Sequence, residues 1–215
     1  YFHWRLGGTL VNEYTNATTT QLYGIAGDDW DDELLRLGGI SRELVTRPAA
    51  PGTILAETTL EGGQRVKITA PATHDTASAV AAIPLQPREA FLISGTWSLM
   101  GVESPRPLAD EVARRLNVTN EGGVERRYRV LENVAGLWLL QRIARELDEP
   151  EAALAAAAAR APGWRSSIDP DDPRFLNPPS MVAAIQSFCV ETGQEVPGDG
   201  GALARCALES LALAH

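Results

Sequence analysis

The chain has 215 residues, 44% of them hydrophobic and 22% charged, a globular mix that excludes a disordered, collagenous or disulfide-scaffold protein. Nineteen basic against 28 acidic residues give a net charge of −9 with no Lys/Arg stripe, which sets nucleic acid aside as a partner. The apolar run Val134 to Leu140 is broken by Gly136, and no run in the chain is long enough to cross a bilayer, so no membrane role is expected.

In chain order, residues 1–25 mix β-branched and polar side chains, and Thr18-Thr19-Thr20 suggests extended or turn structure. Asp28-Asp29-Trp30-Asp31-Asp32 offers a cap and an acidic first turn to a helix over Trp30–Leu37, stopped by Gly38-Gly39. Thr46–Thr53, with two prolines and a glycine, reads as a linker. Val66, Ile68 and Ala70 alternate as a strand feeding the loop Thr73-His74-Asp75-Thr76, and a small-residue helix follows over Ala77–Ala82. Ala90–Ser94 and Trp97–Val102 read as a hairpin-like pair of strands. Beyond them the pattern predicts a helix over Leu108–Leu116, a strand over Arg127–Leu131 and a strong helix over Val134–Leu147. Another helix opens at Pro150-Glu151 and ends near Pro162-Gly163, and Ser166–Pro179 is a loop. Helices over Ser180–Glu191 and Gly200–Ala214 complete an α/β class.

Cys189 and Cys206 are too few for a disulfide framework, and together with the absence of a signal-peptide pattern they point to a reducing, cytoplasmic setting. Three histidines with no Cys/His cluster give no zinc site, and metal ligands are expected to be none. The triplets Asn16-Ala17-Thr18 and Asn117-Val118-Thr119 match the glycosylation sequon, a pattern that arises often by chance.

Three segments can carry chemistry. Asp75 sits where a strand ends and a helix opens, the edge at which α/β folds place ligands; it either caps that helix or works as a carboxylate, and His74 beside it is equally open. Ser94-Gly95-Thr96-Trp97-Ser98 is either an ordinary tight turn or a turn whose N–H and hydroxyl groups hold an anion such as phosphate. Asn133 and Gln141 lie eight positions apart, so that if Asn133 caps the helix Gln141 is about two turns in; their amides either hydrogen-bond a polyol or nucleotide, or Asn133 only caps and Gln141 lies on a solvated face. There is no G-x-x-x-x-G-K-[ST] loop, no G-x-G-x-x-G and no G-x-S-x-G elbow, which disfavours P-loop enzymes, dinucleotide dehydrogenases and α/β-hydrolases.

The runs His74-Asp75-Thr76-Ala77-Ser78, Gly95-Thr96-Trp97-Ser98-Leu99-Met100-Gly101 and Asn120-Glu121-Gly122-Gly123 together resemble the FGGY carbohydrate kinases, within them the rhamnulokinase branch. Further runs carry the same likeness in order over almost the whole chain: Glu13-Tyr14-Thr15-Asn16-Ala17-Thr18, Arg127-Tyr128-Arg129-Val130-Leu131, Gly136-Leu137-Trp138-Leu139-Leu140-Gln141 and Asp172-Pro173-Arg174-Phe175-Leu176-Asn177-Pro178. The resemblance implies the ribonuclease H-like fold of the actin/hexokinase-type ATPases. Residues 1–65 are expected to form the end of the first domain and the crossover, and residues 66–215 an incomplete second domain. The chain reads as cut at both ends: the resemblance implies that a phosphate loop with a Mg²⁺-associated Asp precedes it and a Gly-rich adenine segment follows it. Such a fragment is expected to be inactive by itself.

The family's roles, carried onto matching positions, make Asp75 the catalytic base that takes the proton of a sugar O1 hydroxyl as the γ-phosphoryl of ATP is transferred. His74, Asp75, Thr76 and Asn133 become sugar contacts, and Gly95, Thr96 and Gln141 ATP contacts. ATP with Mg²⁺ is the implied cofactor and L-rhamnulose the implied sugar. Transfer through a loose transition state needs positioning and charge neutralisation more than a strong base, so an ordinary carboxylate suffices. Arg126 stands where relatives tend to have Gly, and Glu132 where Lys is common. The alternatives are a kinase for another ketose such as fuculose or xylulose, and a non-catalytic sugar- or nucleotide-binding relative. A serine hydrolase using Ser94 or Ser98 with His74 lacks an oxyanion-hole pattern.

Overall fold

The computed structural model describes residues 1–215, which divide into two compact units: Tyr1–Phe91 with Gly101–Glu132, and Leu92–Met100 with Asn133–His215. No helix is long and apolar enough to cross a membrane.

The first unit begins with the short helices α1 (Phe2–Arg5) and α2 (Tyr14–Ala17). Thr18–Thr20 is a 3-10 turn rather than extended chain, because each hydroxyl bonds back to the carbonyl three residues earlier. A two-residue ladder, β1 (Tyr23–Gly24) with β2 (Asp29–Trp30), claims Trp30, so α3 starts later than expected, at Asp32–Leu37, where Asp31 accepts the N–H groups of Glu33 and Leu34. Ala17, Trp30 and Leu35 form a small buried cluster with Leu22, Tyr23, Ile40 and Val45 around it. The hairpin β3 (Ile54–Thr59) and β4 (Arg65–Thr69) follows, and α4 (Asp75–Ala81) comes next.

A four-stranded sheet has the order β5 (Phe91–Ile93), β6 (Trp97–Ser104), β8 (Tyr128–Ala135), β7 (Thr119–Gly122), and the division between the units falls inside β5, β6 and β8. Strands β7 and β8 are antiparallel, Thr119 opposite Leu131 and Gly122 opposite Tyr128. The helix expected over Leu108–Leu116 is shorter, α5 (Glu111–Arg115), because Asp110 caps it and Leu108 is tied through its backbone to the Asn120 amide.

Strand β8 overturns one expectation. It runs on through Asn133 and Val134 to Ala135, so Asn133 does not cap a helix; α6 spans Trp138–Leu147 and its cap position is Leu137. The cause is Gly136. A Cβ there would lie 2.6 Å from the carbonyl oxygens of both Gly95 and Thr96, so only glycine lets the strand end press against that turn before the helix can begin.

The second unit packs α6 with α7 (Glu151–Arg160), α8 (Met181–Glu191) and α9 (Gly200–Ala214). Leu139, Ile143, Leu154, Met181, Ile185, Leu203 and Ala207 lie in its continuous core. Ser180 and Asp199 cap α8 and α9.

Candidate active site

The loop after β4 places His74, Asp75 and Thr76 side by side. His74 holds the cap position of α4 in extended conformation without a side-chain bond to the helix, and Asp75 is the first helical residue. Its Oδ1 accepts the N–H of Thr76 at 2.7 Å and lies 3.4 Å from the Thr76 hydroxyl. Asp75 is therefore not the cap residue, and its side chain, 99% exposed, stays open to a ligand. Thr76 itself is buried, a support for Asp75.

What fixes this loop comes from α2, fifty-seven and more positions away. The buried Glu13 carboxylate accepts the Thr73 N–H at 3.1 Å and the Thr73 hydroxyl at 2.7 Å, as well as the N–H and hydroxyl of Thr15. Thr15 Oγ1 in turn accepts the His74 N–H at 3.1 Å, and the Asn16 amide donates to Thr73 Oγ1 at 2.6 Å. Behind His74 lies Arg129 of β8, whose side chain is wholly buried. Its Nη2 is 2.9 Å from Glu121 Oε2 and its Nε donates to the Gly122 carbonyl. Burial pushes the Arg129 pKa down, and the Glu121, Asp75 and Glu13 carboxylates pull against that shift. Glu13, Thr15 and Arg129 carry no role in the sequence reading; the one signal was an arginine inside an apolar strand pattern, next to Val130 and Leu131.

The same unit holds a polar cavity of about 460 Å³ lined in part by Tyr14, Tyr23, Asp28, Arg47, Arg126 and Tyr128. Gly122 seats the Tyr14 ring, since a Cβ there would lie 2.4 Å from it. Burial raises the Tyr14 and Tyr23 phenols above their usual range, and the Tyr23 hydroxyl donates to Asp28 at 2.7 Å.

The second unit carries the Gly95-Thr96 turn, Asn133 and Gln141. The Gly95 and Thr96 carbonyls accept the N–H groups of Leu137 at 2.8 Å and Trp138 at 3.0 Å, which fastens the turn to the start of α6. The Thr96 side chain is exposed and its hydroxyl has no partner within the chain. Asn133 is exposed on β8. Gln141 sits one turn into α6, its N–H donating to Leu137 O, and it borders an open hollow with Arg145, Asp148, Glu149 and Glu151 that does not include Thr96. Trp97, Gly136 and Trp138 line a different cavity of about 240 Å³ with Asp171, Phe175 and Leu176. No group of three or more His, Cys, Asp or Glu side chains is arranged to hold a metal ion.

Residues 90–215 match the model of the FGGY family of carbohydrate kinases, C-terminal domain. The chain belongs to the FGGY family of carbohydrate kinases. It is 51% identical over its whole length to a rhamnulokinase of Pectobacterium carotovorum subsp. carotovorum and 50% identical to one of Pectobacterium atrosepticum. It spans 44% of the length of these curated relatives. Among solved structures it is similar to xylulose kinase from Lactobacillus acidophilus (TM-score 0.65, 20% identity) and gluconate kinase from the same organism (TM-score 0.61, 18% identity), covering 98% of this chain and 44% of each of theirs. The likeness establishes the fold as the FGGY one, of the actin/hexokinase-like ATPase type.

Proposed function

We propose that this chain is part of a kinase that transfers the γ-phosphoryl of ATP to the O1 hydroxyl of L-rhamnulose in the cytoplasm, with Mg²⁺ accompanying the nucleotide. The observation that carries the reading is Asp75: a carboxylate almost fully open to solvent, on a loop held from beneath by Glu13 and Thr15. In it Asp75 orients the sugar hydroxyl and accepts its proton late in transfer. His74 and Asn133 contact the sugar, while Thr76, expected to do so from the sequence, is buried and supports Asp75 instead; Gly95 and Thr96 contact the phosphates, and Gln141 the nucleotide. L-rhamnulose is preferred over other ketoses because the relatives at 50–51% identity are rhamnulokinases, whereas the xylulose and gluconate kinases are distant. Residues 1–65 are read as the end of the first domain with the crossover and residues 66–215 as an incomplete second domain, a reading to which the C-terminal-domain match over 90–215 lends support.

The test uses a kinase of the relatives' length carrying this chain, assayed with ATP on L-rhamnulose, L-fuculose and D-xylulose. Asp75→Asn keeps the side-chain size but cannot take up the hydroxyl proton, so kcat on L-rhamnulose is expected to fall at least about 10²-fold with little change in melting temperature. A fully active Asp75→Asn enzyme overturns the assignment, and preference for another ketose transfers it to that sugar.

A further inference from the structure

A guanidinium has donors and no acceptor, and that of Arg129 is enclosed on every side. Nε is used by the Gly122 carbonyl and Nη2 faces Glu121, which leaves Nη1 with one hydrogen-bond partner, the Nδ1 atom of His74 at 3.5 Å. An N–H cannot accept, so the contact needs a lone pair on Nδ1, and a neutral imidazole then carries its proton on Nε2. The other group near Nδ1 is Asp75 Oδ1 at 3.6 Å. That oxygen already takes the Thr76 N–H, and its carboxylate is solvated, so it gains little from an imidazole proton. A proton on Nδ1 would instead leave a buried Arg129 donor facing another donor. The second ring nitrogen, Nε2, has no partner within the chain.

We propose that Arg129 is a positioning residue that holds His74 in the neutral Nε2–H tautomer. His74 then presents a fixed donor to a sugar oxygen while the Asp75 carboxylate stays unencumbered by an imidazole proton. The charged groups packed around the pair are Glu121 on β7, Glu13 ahead of α2 and Asp75 on α4, and none of them offers Nδ1 a closer acceptor than the contacts given. This deepens the proposed function and rests on His74 being a sugar contact; the tautomer itself does not depend on that.

The experiment labels the histidine rings with ¹⁵N in the kinase of the relatives' length and reads ring tautomers from long-range ¹H–¹⁵N spectra at about pH 8, where a free imidazole is neutral. His74→Gln assigns the signals. The wild type is expected to show His74 as a single Nε2–H form. Arg129→Met paired with Glu121→Gln, which leaves no orphaned charge, is expected to shift the ring towards Nδ1–H and raise the sugar KM about tenfold, the size of one lost hydrogen bond, with the ATP KM unchanged. Arg129→Lys restores a donor and should bring back most of the Nε2–H signal. An Nδ1–H ring in the wild type overturns the proposal even if the double variant does not fold, and so does a tautomer indifferent to Arg129. If the tautomer responds as expected but the sugar KM does not move, the Arg129–His74 pairing is supported and the sugar role of His74 is what fails.

Discussion

Glu13 and Thr73, sixty residues apart, share two hydrogen bonds: one carboxylate oxygen accepts both the backbone N–H and the hydroxyl of Thr73, at 3.1 and 2.7 Å. The same oxygen takes the Thr15 hydroxyl and the Asn16 N–H. It is an acceptor to which four donors converge. Glu13→Gln turns one side of it into a donor, and the buried groups then face N–H against N–H. The expected loss is about 1–3 kcal/mol of stability, read by denaturant unfolding. Because the loop carries Asp75, kcat of the full-length kinase should fall as well. Wild-type stability in Glu13→Gln would mean that the loop is held by Thr15 and Asn16 alone.

Gly136→Ala places a methyl group 2.6 Å from two carbonyl oxygens and 2.8 Å from the Ser98 nitrogen. Backbone cannot move aside as a flexible side chain can, so the substitution is expected to cost on the order of 1–3 kcal/mol. It should also raise the ATP KM by displacing Thr96. A melting curve superimposable on the wild type would show that the turn has slack.

Glu146 reaches from α6 to the start of α8, where its carboxylate accepts the N–H groups of Met181 and Val182 and the Ser180 hydroxyl. Burial pushes its pKa up, but those hydrogen bonds, with Arg142 nearby, bring it net below the ordinary glutamate value. A folded-state pKa below the unfolded one contributes stability above the unfolded pKa and loses it as pH falls through the folded value. Glu146→Gln should therefore melt lower than wild type at pH 7, and the gap should close as the pH drops through the carboxylate range. A gap independent of pH would assign the effect to packing.

Glu125 and Arg126 both have left-handed backbone, φ +55° and +58°. That is a conformation glycine adopts more readily than arginine, and the Arg126–Asp28 ion pair at 3.2 Å is exposed and worth little. Arg126→Gly relieves the left-handed strain at the cost of a more flexible unfolded chain. Thermal unfolding is expected to show unchanged or higher stability; a loss above about 1 kcal/mol would mean the ion pair outweighs the strain.

How far the sequence could be read depends on where each signal resides. Helices α8 and α9 are legible to within a residue, because each is a local run whose cap, Ser180 or Asp199, stands immediately before it. Strand β3 was not, because Ile54–Thr59 has no fully buried residue and so leaves no alternation to detect. Asn133 looks like a helix cap in sequence because Val134, Ala135 and Leu137 run apolar into α6; the break at Gly136 is dictated by the turn at Gly95, forty-one residues upstream. Asp75 and the Gly95-Thr96 turn stand out as candidates from neighbouring residues alone. Arg129 was not, since an arginine reads as surface, and its burial depends on Glu121, Gly122 and His74 arriving from elsewhere in the chain.

The division of the chain into Tyr1–Phe91 with Gly101–Glu132, and Leu92–Met100 with Asn133–His215, has a consequence for synthesis on the ribosome. All the residues of this chain that form the first unit have been made once residue 132 has emerged. Residues 92–100, although made earlier, have no unit to join until the four helices after Asn133 follow. At a translation rate of about 5–20 residues per second they wait for several seconds with the Gly95-Thr96 turn lacking Leu137 and Trp138 as its donors. No single cut in the gene yields both units whole, and the nascent chain carries the Gly95-Thr96 turn unfastened until Leu137 and Trp138 have been made.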